Sequence, residues 1–158
     1  MLESWSMKKL LAIVVLGLIW SNHSNANPSL KGIEDIKIIV EELHPAAEKC
    51  GLSTDKILTS AKYILQNSKF NVVPSDKPAF NLYIQVNVGH HQAGYCYSSA
   101  RIEVYDFILH KGRYGDVVYY NNSIIMSGGI GSSYGNSVAN QIEGMLKELV
   151  VAWSEANK

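Results

Sequence analysis

Between Phe80 and Leu109 apolar and polar residues alternate over two runs, a pattern that commits this stretch to a pair of strands. In the first run Phe80, Leu82, Ile84, Val86 and Val88 alternate with Asn81, Tyr83, Gln85 and Asn87. Successive side chains of a strand point to opposite faces, so the two sets separate onto the two sides of a sheet. In the second run Cys96, Ser98, Ala100, Ile102, Val104 and Ile108 share one side, with Asp106 as the exception. Tyr95, Tyr97, Ser99, Arg101, Glu103, Tyr105 and Phe107 share the other. Gly89-His90-His91-Gln92-Ala93-Gly94 joins the runs as a polar loop, and its glycines can adopt the positive φ angles a hairpin turn needs. The hairpin therefore has one apolar face that requires a cover and one polar face rich in tyrosine.

The rest of the chain supplies the cover. Ile33 to Leu43 reads as a first strand with Ile36, Ile38 and Val40 on one side, and Ile39 marks it as an inner strand touched on both faces. His44-Pro45-Ala46-Ala47 ends it, because proline cannot continue a ladder. A helix follows, capped by Ser53 or Thr54, with Asp55 in its first turn and Ile57, Leu58, Ala61, Ile64 and Leu65 as its apolar stripe. Phe70 to Val73 makes a short strand stopped by Pro74. Beyond the hairpin, His110 to Asp116 reads as a loop and Val117 to Ser127 as the last strand, with Val118, Tyr120, Ile124 and Met126 in register. The glycine passage Gly128 to Gly135 leads to a helix capped by Asn136 or Ser137. Its stripe is Val138, Ile142, Met145, Leu146, Leu149, Val150 and Trp153. The expected fold is an α+β two-layer sandwich: a mainly antiparallel sheet of about five strands with two helices on one face, in the order strand-helix-four strands-helix. It forms a single domain over residues 27–158.

Residues 1–26 have the form of a signal peptide. Lys8 and Lys9 precede the apolar run Leu10 to Trp20, and Ser24 and Ala26 have the spacing of a cleavage site after Ala26. The run is too short for a membrane span of about twenty residues. Met7 would be a more compact start than Met1. With no cysteine near the cleavage region, lipid attachment at a new N-terminal cysteine is excluded. The mature protein is expected to be periplasmic or secreted, with no membrane span. Cleavage removes Lys8, Lys9 and Glu3 and leaves 12 basic against 13 acidic side chains. So even a balance gives no electrostatic footprint for nucleic acid.

Cys50 and Cys96 are the only cysteines, and in an exported chain an even pair reads as a disulfide. Cys96 points to the helix-covered face and Cys50 sits just before the helix that packs there. The sharper alternative is a catalytic thiol, for which His44, His90 or His91 would be the base, but no motif places any of them. His90, His91, Cys96 and His110 invite a zinc reading. Adjacent histidines on an extended backbone diverge, however, and no metal-site spacing is present, so no metal and no cofactor are expected. The glycine passage has neither dinucleotide nor P-loop spacing. No carboxylate pair or nucleophile elbow marks an active site, and the chain reads as a non-enzyme.

The tyrosines carry the remaining signal. Tyr83, Tyr95, Tyr97 and Tyr105, interleaved with Asn81, Gln85 and Arg101, form a candidate partner surface opposite the helices. Cross-strand aromatic pairs that merely stabilise a solvated face would look the same. From Gly32 onward the chain resembles a family of small secreted bacterial proteins with no assigned function. Ile36-Lys37-Ile38-Ile39-Val40-Glu41-Glu42-Leu43, Cys50-Gly51-Leu52-Ser53, Leu82 to Val88 and Gly94-Tyr95-Cys96 carry the resemblance. It implies export and a bridged cysteine pair and brings no catalytic residue. The function expected is an exported protein-interaction module, with a bacterial envelope assembly as its candidate setting and a protein as its partner. The alternative is a small ligand- or glycan-binding protein or enzyme using the His90/His91 loop and the Gly128–Gly135 loop.

Overall fold

A computed structural model of the chain describes residues 29–110 and 113–158. The expected signal peptide lies outside them. Five strands, β1 (Asp35–Val40), β2 (Asn71–Val72), β3 (Phe80–His90), β4 (Cys96–His110) and β5 (Arg113–Gly129), form one sheet in the order β2-β1-β3-β4-β5. The helices are α1 (Ala46–Lys49), α2 (Thr54–Gln66) and α3 (Gly131–Ala156). The α+β class, the five strands and the two covering helices match the expectation. The sheet itself is mixed: β1 runs parallel to both β2 and β3, while β3, β4 and β5 are antiparallel.

The core lies between the even-numbered residues of β3 and β4 and the helices. Leu82, Ile84, Val86, Ala100, Ile102 and Val104 are buried there against Ile57, Ala61 and Leu65 of α2 and Val138, Ile142, Leu146 and Leu149 of α3. Ser53 caps α2, its side chain accepting the Lys56 N–H at 3.3 Å. Near the far end of α3 the Trp153 indole donates to the Ile33 carbonyl, and its ring packs 4.7 Å from Phe70. That tie lies before β1, so Ile33 anchors the strand instead of belonging to it.

Three local expectations need correction. Residues 46–49 form the short helix α1 where only a strand stop was expected: Pro45 presets a helical φ of −53°, and His44 Nδ1 accepts the Ala46 N–H. The expected loop from His110 to Asp116 is largely strand, since β4 continues to His110 and β5 begins at Arg113. Finally, α3 starts at Gly131, before either expected cap, and its N-cap Ile130 makes no side-chain cap bond. Packing holds the first turn instead. Tyr134 lies over Gly129, and its hydroxyl meets Ser98 Oγ at 2.9 Å and donates to the Met126 carbonyl at 3.1 Å.

Cys50 and Cys96 are bridged, with Cα atoms 6.0 Å apart. Gly51, at φ +73°, follows the bridge and lies backbone-to-backbone against the first turns of α3, where a methyl on Gly135 would land on the Gly51 carbonyl. Gly144, further along α3, faces open space. Gly135→Ala should therefore destabilise the domain by more than about 2 kcal/mol, while Gly144→Ala should stabilise it by about 0.5–1 kcal/mol. Urea unfolding of the two variants reads this contrast directly. The bridge closes a loop with a sequence separation of 46, and replacing both cysteines by alanine should cost about 2–4 kcal/mol by the same measurement.

Candidate functional site

Among the described residues the helices cover one face of the sheet and leave the other open. Across the open face run Tyr83 and Gln85 of β3, then Tyr97, Ser99, Arg101, Glu103, Tyr105 and Phe107 of β4. The β3–β4 register sets Gln85 opposite Arg101 and Tyr83 opposite Glu103. Arg101 Nη1 lies 3.3 Å from Glu103 Oε1, two residues along the same strand. Tyr83, Tyr105 and Phe107 form an edge-to-face row, with ring centroids 6.3 Å and then 5.3 Å apart. Contacts of this geometry pre-order the rings, so little rotamer freedom remains to be lost on binding.

The expected surface residues do not all share one environment. Tyr97 is 55% exposed and lies across Gly89, its cross-strand partner, which has no side chain to hold the ring off the backbone. Tyr95 is exposed in the β3–β4 loop, one residue before β4 begins. Asn81 is only 2% exposed; in register between Lys37 and Tyr105, it sends its amide toward the Tyr105 carbonyl at 3.5 Å. Asn81 is therefore part of the sheet and not of its accessible surface.

The sequence reading missed the contribution of β5. Ile125 projects from the open face at 86% exposure beside Ser99, its register partner. Between Ile125 and Tyr97 lies a shallow depression of about 350 Å3, also lined by Asn87, Gly89, Ser99 and Ser127. Val118, expected in one alternating register with Tyr120, Ile124 and Met126, pairs instead with Tyr105 on the open face. The cause is a bulge: β4 runs straight from Val104 to Tyr105 while β5 inserts Tyr119 between their partners. One inserted residue reverses the facing of all that precede it. Parity within β5 would have placed Ile125 outward, opposite to Ile124; the bulge has no comparable sequence signal.

The histidine loop and the glycine passage lie at one end of the sheet, because Cys96 pairs with both His90 and Gly129. His90 and His91 are exposed, and His91 Nδ1 accepts the Ala93 N–H at 3.2 Å within the turn. The bridge removes Cys96 as a ligand, and among the described residues no three histidine, cysteine or carboxylate side chains gather as a metal site. Gly128, at φ +86°, forms a second bulge in β5, while Gly129 and Gly135 serve the packing described above.

No family model and no curated protein matches the chain. Among solved structures it is similar to a minor lipoprotein from Acinetobacter baumannii, at 14% identity and a TM-score of 0.36, over 79% of this chain and 93% of that one. It is also similar to a proposed neuraminyllactose-binding hemagglutinin homologue from Helicobacter pylori, at 12% identity and a TM-score of 0.33, over 84% and 89% of the two chains. Among the described residues no helix is long and apolar enough to cross a membrane.

Burial raises the pKa of the Tyr83 phenol above its ordinary value, and the facing Glu41 carboxylate adds to the shift. Burial likewise raises Tyr105, helped by the carboxylates of Asp116 and Glu103. The folded state holds these protons more tightly than the unfolded chain does, so the associated stability is complete below about pH 10 and is lost as pH rises through the folded values. Melting temperature should fall above pH 10, and Tyr83→Phe should flatten that fall; an alkaline limb with the same slope in both proteins would remove Tyr83 as its source.

Proposed function

We propose that the chain is an exported, non-enzymatic module, periplasmic or secreted, that binds a protein partner through its uncovered sheet face, as a component of an envelope assembly. The observation that carries this reading is the ordered aromatic row Tyr83-Tyr105-Phe107, continued by the exposed Tyr97 and Ile125 on a face that no helix among the described residues covers. Aromatic and arginine side chains on a rigid platform are the usual anchors of protein interfaces. A signal-peptide pattern and a buried disulfide support export. The depression beside Tyr97 supports a second reading, in which the same face receives a small ring such as a sugar.

A photo-crosslinking residue at position 97 or 105, introduced in the cells that make the protein, should yield one discrete adduct. The same residue at position 63 should yield none, although Tyr63 on α2 is 69% exposed. Tyr97→Ser should then weaken capture by about 2 kcal/mol or more, roughly thirtyfold, with an unchanged circular dichroism melt. Equal adducts at positions 63 and 97 would rule out this face as the interface. Saturable glycan binding lost in Tyr97→Ser, without a protein adduct, would favour the second reading.

A further inference from the structure

The two edges of the sheet differ in how they are finished. At one edge β2 has two residues and is followed by Val73 and Pro74, so little backbone is left to template a further strand. At the other edge β5 has 17 residues, and β4 pairs with only one of its sides. From Val117 to Gly129 this strand has no charged residue and no proline. These are the usual devices by which an edge is kept from pairing, and beyond Asp116 β5 retains only its bulges. The bulges at Tyr119 and Gly128 bracket a regular run, Tyr120 to Ser127, with the largest exposed apolar residue of that run, Ile125, inside it.

We propose that this run is a homodimerisation edge, with β5 of two copies pairing antiparallel about a twofold axis through Ile124. This rests on the edge of the sheet and not on the aromatic row, although Ile125 borders both.

Antiparallel pairing about an axis perpendicular to the sheet keeps the helices of both copies on one side, so it requires residues of like facing to meet. Centring on Ile124 satisfies that rule and spans Asn121 to Ser127, within the regular run. Ile124 meets its own copy on the helix side, flanked by Asn122 opposite the partner's Met126. On the open side Ile125 lies opposite the partner's Ser123 and diagonal to the partner's Ile125. That contact removes much of an 86%-exposed side chain from water.

Charge favours a second copy as the occupant. The run Tyr120 to Ser127 has no charged side chain, so it brings no like charges together when it pairs with itself, and within it no basic or acidic row selects a charged partner strand. The carboxylate nearest the run is Glu148, which accepts the Asn122 amide at 2.7 Å. Asn122 and the partner's Asn122 are offset by four residues in this register, about 13 Å along the strand, so the two carboxylates are largely screened from each other. The result is one ten-stranded sheet with both tyrosine faces on the same side.

Sedimentation equilibrium of the exported chain, combined with hydrogen exchange, tests this. At about 100 µM the protein should be dimeric, and the outward amides between Asn121 and Ser127 should exchange at least about tenfold more slowly than in the dilute monomer. Ile125→Lys should weaken the dimer by at least about tenfold through the Lys–Lys diagonal, with an unchanged melt, while Tyr63→Lys on α2 should leave it intact. A monomer at that concentration overturns the proposal. A dimer whose β5 amides gain no protection does so as well, since it would be using another surface.

Discussion

The structure depends on one junction, where the Cys50–Cys96 bridge meets the start of α3. Four segments converge there: the turn after α1, the first residue of β4, the last residues of β5 and the first turns of the long helix. The bridge holds the turn to the sheet. Gly51 and Gly135 then allow turn and helix to touch backbone to backbone, closer than any Cβ would permit. Tyr134 completes the assembly by spanning Gly129 and placing its hydroxyl between Ser98 and the Met126 carbonyl. A small α+β layer has limited apolar area, and here a covalent staple and two glycine contacts do what a larger core would do elsewhere.

With α3 fixed at that junction, its apolar stripe lies across the sheet to Ile33 and Phe70, and among the described residues only one face is covered. What remains uncovered divides into two surfaces of different chemistry. The face offers pre-ordered aromatic rings and an Arg101–Glu103 pair, suited to side-chain recognition. The edge of β5 offers backbone donors and acceptors flanked by small and apolar residues, suited to strand pairing. The two can be occupied together, because one lies in the plane of the sheet and the other across it.

Most of the fold was legible in the sequence because its main signals are periodic. The alternation in β3 and β4 and the stripes of α2 and α3 each repeat enough times to outweigh single exceptions, and Ser53 supplied a cap with a chemical signature. The cysteine pairing followed from having two cysteines on compatible elements. What escaped was set by tertiary contact. The start of α3 depends on Gly51 and Gly129, which are distant or non-helical in the sequence, while the local signals at Asn136 and Ser137 pointed further along. The inversion of Val118 arises from a one-residue mismatch between two strands, which neither strand records alone. For the candidate surface, the tyrosines of β3 and β4 were placed on the correct face by parity. The burial of Asn81 and the prominence of Ile125 depended on neighbours across the sheet.

The tie between Trp153 and Ile33 also bears on how the chain is made. It joins residues 120 positions apart, and Trp153 lies near the far end of α3. Synthesis delivers the chain from its N-terminus, so the sheet and α2 emerge while α3 is still to come. Until then the apolar side of β3 and β4 has half its lid. Closing the Cys50–Cys96 bridge needs only the first 96 residues, so oxidation can shorten the exposed loop before the last helix arrives. Vectorial delivery thus separates two events that the finished molecule presents as one junction, and the interval between them is when a holding chaperone has most to protect.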